Sequence, residues 1–158
     1  MTSPTPGPTA FAAALALLTG RSLTAGELGR RLRRRGYAAE EIAEATGRLT
    51  DLGLLDDQRT AAAWAESAAL IRGLGPRRLR EGLAKRLLAR ELVEEAVTAV
   101  FAAGEESRLA RVALGKWERM KGPADDAGSR HAAYAHLRRR GFSAAATRAA
   151  LFNRPEID

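Results

Sequence analysis

Residues 53–88 read GLLDDQRTAAAWAESAALIRGLGPRRLREGLAKRLL, and the punctuation of this run decides the fold. Gly53 is a turn residue. Asp56 and Asp57 form a doubly acidic helix cap, where carboxylates satisfy orphan N–H groups and complement the helix dipole. A helix from Asp57 to Arg72 then carries an inward stripe of Ala61, Trp64, Ala68 and Ile71, spaced three and four apart. Gly73, Gly75 and Pro76 break it and make a structural elbow. Glycine ends the first helix, and proline starts the next because its missing N–H is an orphan there anyway. The second helix buries Leu79, Leu83 and Leu87 and carries Arg77, Arg78, Arg80 and Lys85. Runs of alternating β-branched residues are missing here and elsewhere in the chain, so the predicted fold is all-α.

The same signals extend outward in both directions. Thr9 caps a helix from Ala10 to Thr19. Thr24-Ala-Gly-Glu27 is a capping box that opens a helix to Arg35, closed by Gly36. The next helix, Ala39 to Leu52, has Ile42, Ala45, Leu49 and Leu52 on its buried stripe. Beyond the elbow come helices from Arg90 to Ala102, Glu105 to Lys121, Asp126 to Arg140 and Ala144 to Phe152. Val93, Val97 and Val100 mark the core side of the first of these. Leu109, Val112, Ala113, Lys116 and Trp117 lie near one face of the second, and Ser143 caps the last.

A repeat emerges from this order. Leu32-Arg-Arg-Arg-Gly36-Tyr37 and Leu137-Arg-Arg-Arg-Gly141-Phe142 are one phrase, and Leu83-Ala-Lys-Arg-Leu87-Leu88 fills the corresponding slot between them, at spacings of about 51 to 54 residues. A short helix follows each phrase. The chain therefore reads as three tandem three-helix repeats, residues 9–53, 54–103 and 104–153. They form an elongated, curved right-handed array between a disordered tail (1–8) and a frayed end (154–158). Such arrays make extended surfaces rather than closed pockets.

The composition narrows the function classes. In 158 residues there are 26 Lys and Arg against 19 Asp and Glu, a net charge of +7, and no Cys. The absence of Cys excludes a disulfide framework and thiolate metal sites and fits a reducing, cytoplasmic setting. The basic surplus favours anionic partners, although an arginine-rich composition from a GC-rich genome accounts for part of it. The apolar run from Ala10 to Leu18 is too short to span a bilayer, and the preceding MTSPTPGPT lacks the charged start of a secretory signal.

No catalytic constellation is visible. His131 and His136 are five residues apart, about 140° round a helix, and cannot clamp a metal together. Paired acids sit at helix starts, where capping explains them. Gly73 to Pro76 follows a helix and lacks the Lys-Ser/Thr ending of a phosphate loop, so it is an elbow whose following helix start, beside Arg77 and Arg78, is open to an anion. Trp64 and Trp117 have the chemistry for base stacking, but their helical spacing favours the core. The binding candidates are cationic: Arg33, Arg34 and Arg35; Arg72, Arg77, Arg78, Arg80 and Lys85; and Arg138, Arg139 and Arg140. Their clusters recur at matching repeat positions. If the units stack in register, they form one basic strip. Catalysis, cofactors, metals and a small-molecule substrate are not expected.

Two phrases carry a family resemblance: Gly53-Leu54-Leu55-Asp56-Asp57-x-Arg59 and Gly73-x-Gly75-Pro76-x-Arg78-Leu79. Leu83 and the LVEEAV at 92–97 continue it, and Thr24 to Gly36 matches a first unit. On these residues the chain resembles the RecX family over about residues 10–152. Thr60, Ala68 and Leu87 depart from the pattern, at positions where an aromatic, an Arg and a Gly are usual. The resemblance implies three tandem three-helix repeats. It also implies a regulator of recombination and DNA repair, linked to the SOS response. Such a protein binds the RecA recombinase, chiefly as its filament on single-stranded DNA, and inhibits its ATPase, strand-exchange and coprotease activities. The residues themselves also fit a stand-alone DNA-binding protein with weaker, salt-dependent affinity for single and double strands, or a helical adaptor for another acidic protein.

Overall fold

A computed structural model of the chain describes residues 7–153. Nine helices and no strand occur among the described residues: α1 (Ala10–Leu18), α2 (Ala25–Arg34), α3 (Ala39–Asp51), α4 (Asp57–Leu70), α5 (Pro76–Lys85), α6 (Arg90–Val100), α7 (Glu105–Lys121), α8 (Ala127–Arg139) and α9 (Ala144–Phe152). Their starts follow local chemistry. The Thr9 and Ser143 side chains accept from the N–H groups of Ala12 and Ala146. In the box at Thr24, Glu27 N–H donates to the threonine hydroxyl (3.1 Å) and Thr24 N–H to the Glu27 carboxylate (2.9 Å). Asp56 caps α4 by accepting from Arg59 N–H at 2.9 Å.

Helices pack in consecutive triplets. The first and third helix of each are paired, α1 with α3, α4 with α6 and α7 with α9, and the middle helix lies against the third. Small residues make the close pairing of α4 and α6 possible. Ala61, Ala65, Ala68 and Ala69 are buried on α4, and Val93, Ala96 and Val97 on α6. The core falls into two buried clusters. One belongs to the first triplet and includes Leu28, Leu32, Leu49 and Leu55. The other runs without a break through the second and third triplets, from Ala61 to Leu151, with Leu79, Leu83, Leu137 and Phe142 among its members.

Several expected core positions lie outside. Leu52 is 61% exposed, Ile71 73% and Leu87 45%, and Val112 is exposed as well. Leu52, Ile71 and Leu87 sit at or just past a helix end, where the chain leaves the helical spiral and periodicity stops predicting direction. Trp64 is half-buried rather than central. Of the expected tail, residues 1–6 lie outside the described residues, as do 154–158. Pro8 is tied down, since its carbonyl accepts from the Tyr37 hydroxyl at 2.7 Å.

Leu87 also reports on the repeat. Its φ is +60°, alone among the non-glycine residues described, and the two glycines in the matching slots, Gly36 and Gly141, have φ of +91° and +97°. The helix-ending left-handed residue thus recurs in all three triplets, and in the second a leucine occupies it against its steric preference.

Adjacent triplets meet through this same element. At the first joint, Thr24 Oγ1 donates to Arg86 O (2.6 Å), and a Cβ on Gly26 would lie 2.6 Å from Leu87 Cβ. Asp57 does not cap its own helix. Its carboxylate accepts from Ala25 N–H across the joint at 2.8 Å. Arg86 completes the contact, donating to Ser22 O (2.6 Å) and to the Glu27 carboxylate (2.9 Å). At the second joint the elbow lies backbone to backbone on Gly141. Gly75 N–H donates to Arg140 O (2.8 Å) and Arg77 N–H to Gly141 O (3.2 Å). A Cβ on Gly75 would fall 2.5 Å from backbone atoms of Gly141 and Phe142. The elbow therefore sets the angle between two triplets as well as between two helices.

Gly75→Ala, whose Cβ has no space, should cost about 2–3 kcal/mol, whereas Gly47→Ala, in α3 with open space around it, should stabilise by about 1 kcal/mol. Thermal melts of the two variants check the contrast. Burial acts to raise the Glu27 pKa, but the Arg86 hydrogen bond, the Thr24 N–H and the charges of Arg86 and Arg31 together hold it below the usual carboxylate range. Glu27 thus binds its proton more weakly folded than unfolded. Its stabilisation is complete above the unfolded value of about 4.3 and is lost as pH falls through the folded value beneath it. Glu27→Gln should be less stable than wild type at pH 7, with the gap closing on acidification, as followed by denaturant titration across that range.

Candidate nucleic-acid interface

Helix ends generate the charge pattern of the second joint. The last carbonyls of a helix lack intrahelical partners and carry partial negative charge, so cations settle there. Here the two triplets exchange that service. Arg77 Nη2 donates to Arg138 O (3.1 Å) and Arg78 Nε to Arg139 O (2.9 Å), closing the end of α8. In return Lys116 Nζ donates to the Leu70 and Ile71 carbonyls, each at 3.0 Å, and Arg140 Nη2 donates to Arg72 O, closing the end of α4. Arg138 also donates to Phe142 O at 2.6 Å. Glu81 accepts from Arg77 (2.7 Å) and Arg78 (2.9 Å), and the Arg78 bond, followed by that of Arg77, holds its carboxyl below the usual range.

A cleft of about 560 Å³ opens beside this lattice, lined by Trp64, Arg72, Leu74, Arg78, Glu81, Gly82, Lys85, His136, Arg139 and Arg140. Five of these ten are Lys or Arg and one is acidic, so the cleft attracts anions. Arg78 and Arg140 spend donors on carbonyls, yet Arg140 Nε is buried without a hydrogen-bond partner. The side chains of Lys85 and Arg139 are exposed and make no ion pair or hydrogen bond among the described residues. The Arg72 guanidinium lies 5.8 Å from the Trp64 ring centroid. Burial, then the charges of Arg140 and Arg139, push His136 below the ordinary imidazole range.

Arg77, Arg80 and Arg138 line a second cavity, of about 380 Å³, on the elbow with Phe101, Phe142 and Ser143. Arg80 is paired there with Glu94 at 2.9 Å. Arg33, Arg34 and Arg35 are exposed at the end of α2 and line neither cavity. Eight of the eleven cationic candidates therefore gather at the second joint and three stand at the far triplet. Sequence reasoning missed the joint itself and weighed His136 only as a metal ligand. The signal for the joint was present in Gly75, whose missing side chain marks a close approach of backbone to Gly141 and Phe142. No group of three or more His, Asp or Glu that fits a metal ion occurs among the described residues, and no helix among them is long and apolar enough to cross a membrane.

Comparison with known proteins places this arrangement. Residues 10–49 match the family model for the first three-helix domain of RecX, and residues 56–97 that for its second three-helix domain. The chain is 36% identical over 121 residues to a regulatory protein RecX of Mycolicibacterium vanbaalenii, covering 76% of this chain and 66% of that one. It is 33% identical over 137 residues to the regulatory protein RecX of a Mycobacterium species (strain KMS), covering 85% and 75%. Its fold is similar to the crystal structure of RecX from Lactobacillus salivarius, with a TM-score of 0.79 at 19% identity, over 91% of this chain and 93% of that one. Sequence, domain order and fold agree, and the chain belongs to the RecX family of regulatory proteins.

Proposed function

We propose that this protein regulates homologous recombination and DNA repair by binding the RecA recombinase and its filament on single-stranded DNA. Bound there, it lowers the ATPase, strand-exchange and coprotease activities of the filament and acts without chemistry of its own, in the cytoplasm. The observation that carries this reading is the cation-lined cleft at a backbone-bonded joint within a RecX-family array. A filament presents acidic protein surface and DNA backbone along a groove, and an array with fixed joints meets both over several triplets. Among the candidate cations, Lys85, Arg139 and Arg33 to Arg35 make no hydrogen bond or ion pair among the described residues, which leaves them available to a partner.

A second reading is direct DNA binding without RecA, favoured by the same cleft. Contact with about six phosphates on duplex DNA gives a slope of log K against log salt near −5. The decisive experiment is a titration of DNA-dependent ATP hydrolysis by RecA. Inhibition is expected at substoichiometric protein, and none at an equimolar ratio overturns the reading. Lys85→Glu combined with Arg139→Glu should weaken filament binding about tenfold, or 1.4 kcal/mol, with melting temperature unchanged. Arg77→Glu with Arg78→Glu should lower both, because those side chains also close the end of α8.

A further inference from the structure

Trp64 does not sit where a core tryptophan sits. It is half-buried, and its uncovered part lines the cleft between the second and third triplets. Its other contact is with the α5 backbone. A Cβ on Gly82 would lie 2.1 Å from Trp64 Cη2 and 2.8 Å from Cζ2, so only glycine lets the indole rest on that helix. Glycine inside a helix costs up to about 1 kcal/mol relative to alanine. At Gly82 that cost fixes an aromatic ring at the mouth of a cationic cavity.

We infer that this cleft is a binding site for an unpaired nucleotide of a single strand, with its base stacked on Trp64 and its phosphate held by the cations that line the cleft. The chemistry is that of single-strand recognition: an aromatic platform accepts any base because every base has a π-face, while guanidinium and ammonium groups track the backbone. The Arg72 guanidinium lies over the ring, 5.8 Å from its centroid, so a stacking base takes its place there and Arg72 turns to the base or its phosphate. Lys85 and Arg139, both exposed, supply the anion-binding side. A volume of about 560 Å³ suits one nucleotide. A paired base remains inside its stack and cannot enter without being extruded. The site therefore distinguishes single from double strands, which the surface charge by itself does not. This inference deepens the proposed function by naming what the cleft contacts, and it is tested on naked DNA so that the two stand or fall separately.

The chain of residues 1–158 carrying Trp117→Phe has Trp64 as its sole tryptophan. Titration with a twelve-residue oligothymidylate should quench its fluorescence. A blunt duplex of equal length and an abasic strand of equal length should bind without quenching. Trp64→Leu should reduce oligothymidylate affinity about tenfold and leave duplex affinity within twofold, and Trp64→Phe should restore most of the loss. Equal quenching by duplex, equal affinity for the abasic strand, or equal loss for both DNA forms in Trp64→Leu overturns the site. If Trp64→Leu or Trp117→Phe does not fold, the unsubstituted chain labelled with 5-fluorotryptophan gives the same test. One of its two ¹⁹F resonances should shift with oligothymidylate and not with duplex or abasic strand, and no shift refutes the inference. Inhibition of RecA without any oligothymidylate binding would sink the site while leaving the regulatory function standing. Binding without inhibition would do the reverse.

Discussion

The structure depends on one constraint: the end of a middle helix must lie backbone to backbone on the start of the middle helix before it. At the second joint Gly75 and Gly141 come so close that neither has room for a side chain, and main-chain hydrogen bonds to Arg140 and Gly141 carbonyls fix the register. Such a contact has little freedom, because moving either triplet breaks bonds that water cannot replace in a buried interface. The continuous core from the second triplet into the third is its consequence.

The two joints reach this geometry by different chemistry. At the first, a largely buried ion pair between Arg86 and Glu27 (17% and 15% side-chain exposure) works with hydroxyl and carboxylate bonds from Thr24 and Asp57. At the second, the two sides exchange cations onto each other's helix ends. Charge-assisted bonds to carbonyls are stronger than neutral ones, and the helix dipoles add to them. Much of the basic surplus near the elbow is thereby structural, and the net charge of +7 overstates what is offered to a partner.

Element order and repeat phase were legible because capping residues and helix-ending glycines act over three or four residues. Thr24, Asp56, Pro76 and Ser143 each open the helix their chemistry predicts. Periodicity failed where a stripe reached a helix end, at Leu52, Ile71 and Leu87. Asp57 was legible as acidic but not as a bridge, since its partner Ala25 lies 32 positions away. The arginine run at Arg138 to Arg140 was visible in outline. Which of those side chains cap carbonyls, and which remain open, depends on a neighbour that no local pattern names.

By itself the sequence determined nine helices, most of their caps and a repeat closed by glycine in its first and third units, because these features rest on backbone chemistry within one turn of a helix, whereas the left-handed turn at Leu87 emerged only in the structure. The tertiary structure alone decided that the elbow joins triplets, that Arg77, Arg78 and Arg140 serve helix ends, and that Trp64 faces a cleft with Arg72, Lys85 and Arg139 around it. Those outcomes follow from bringing residues about 60 positions apart into contact, and such closure is set by the packing of whole triplets rather than by any stretch of chain.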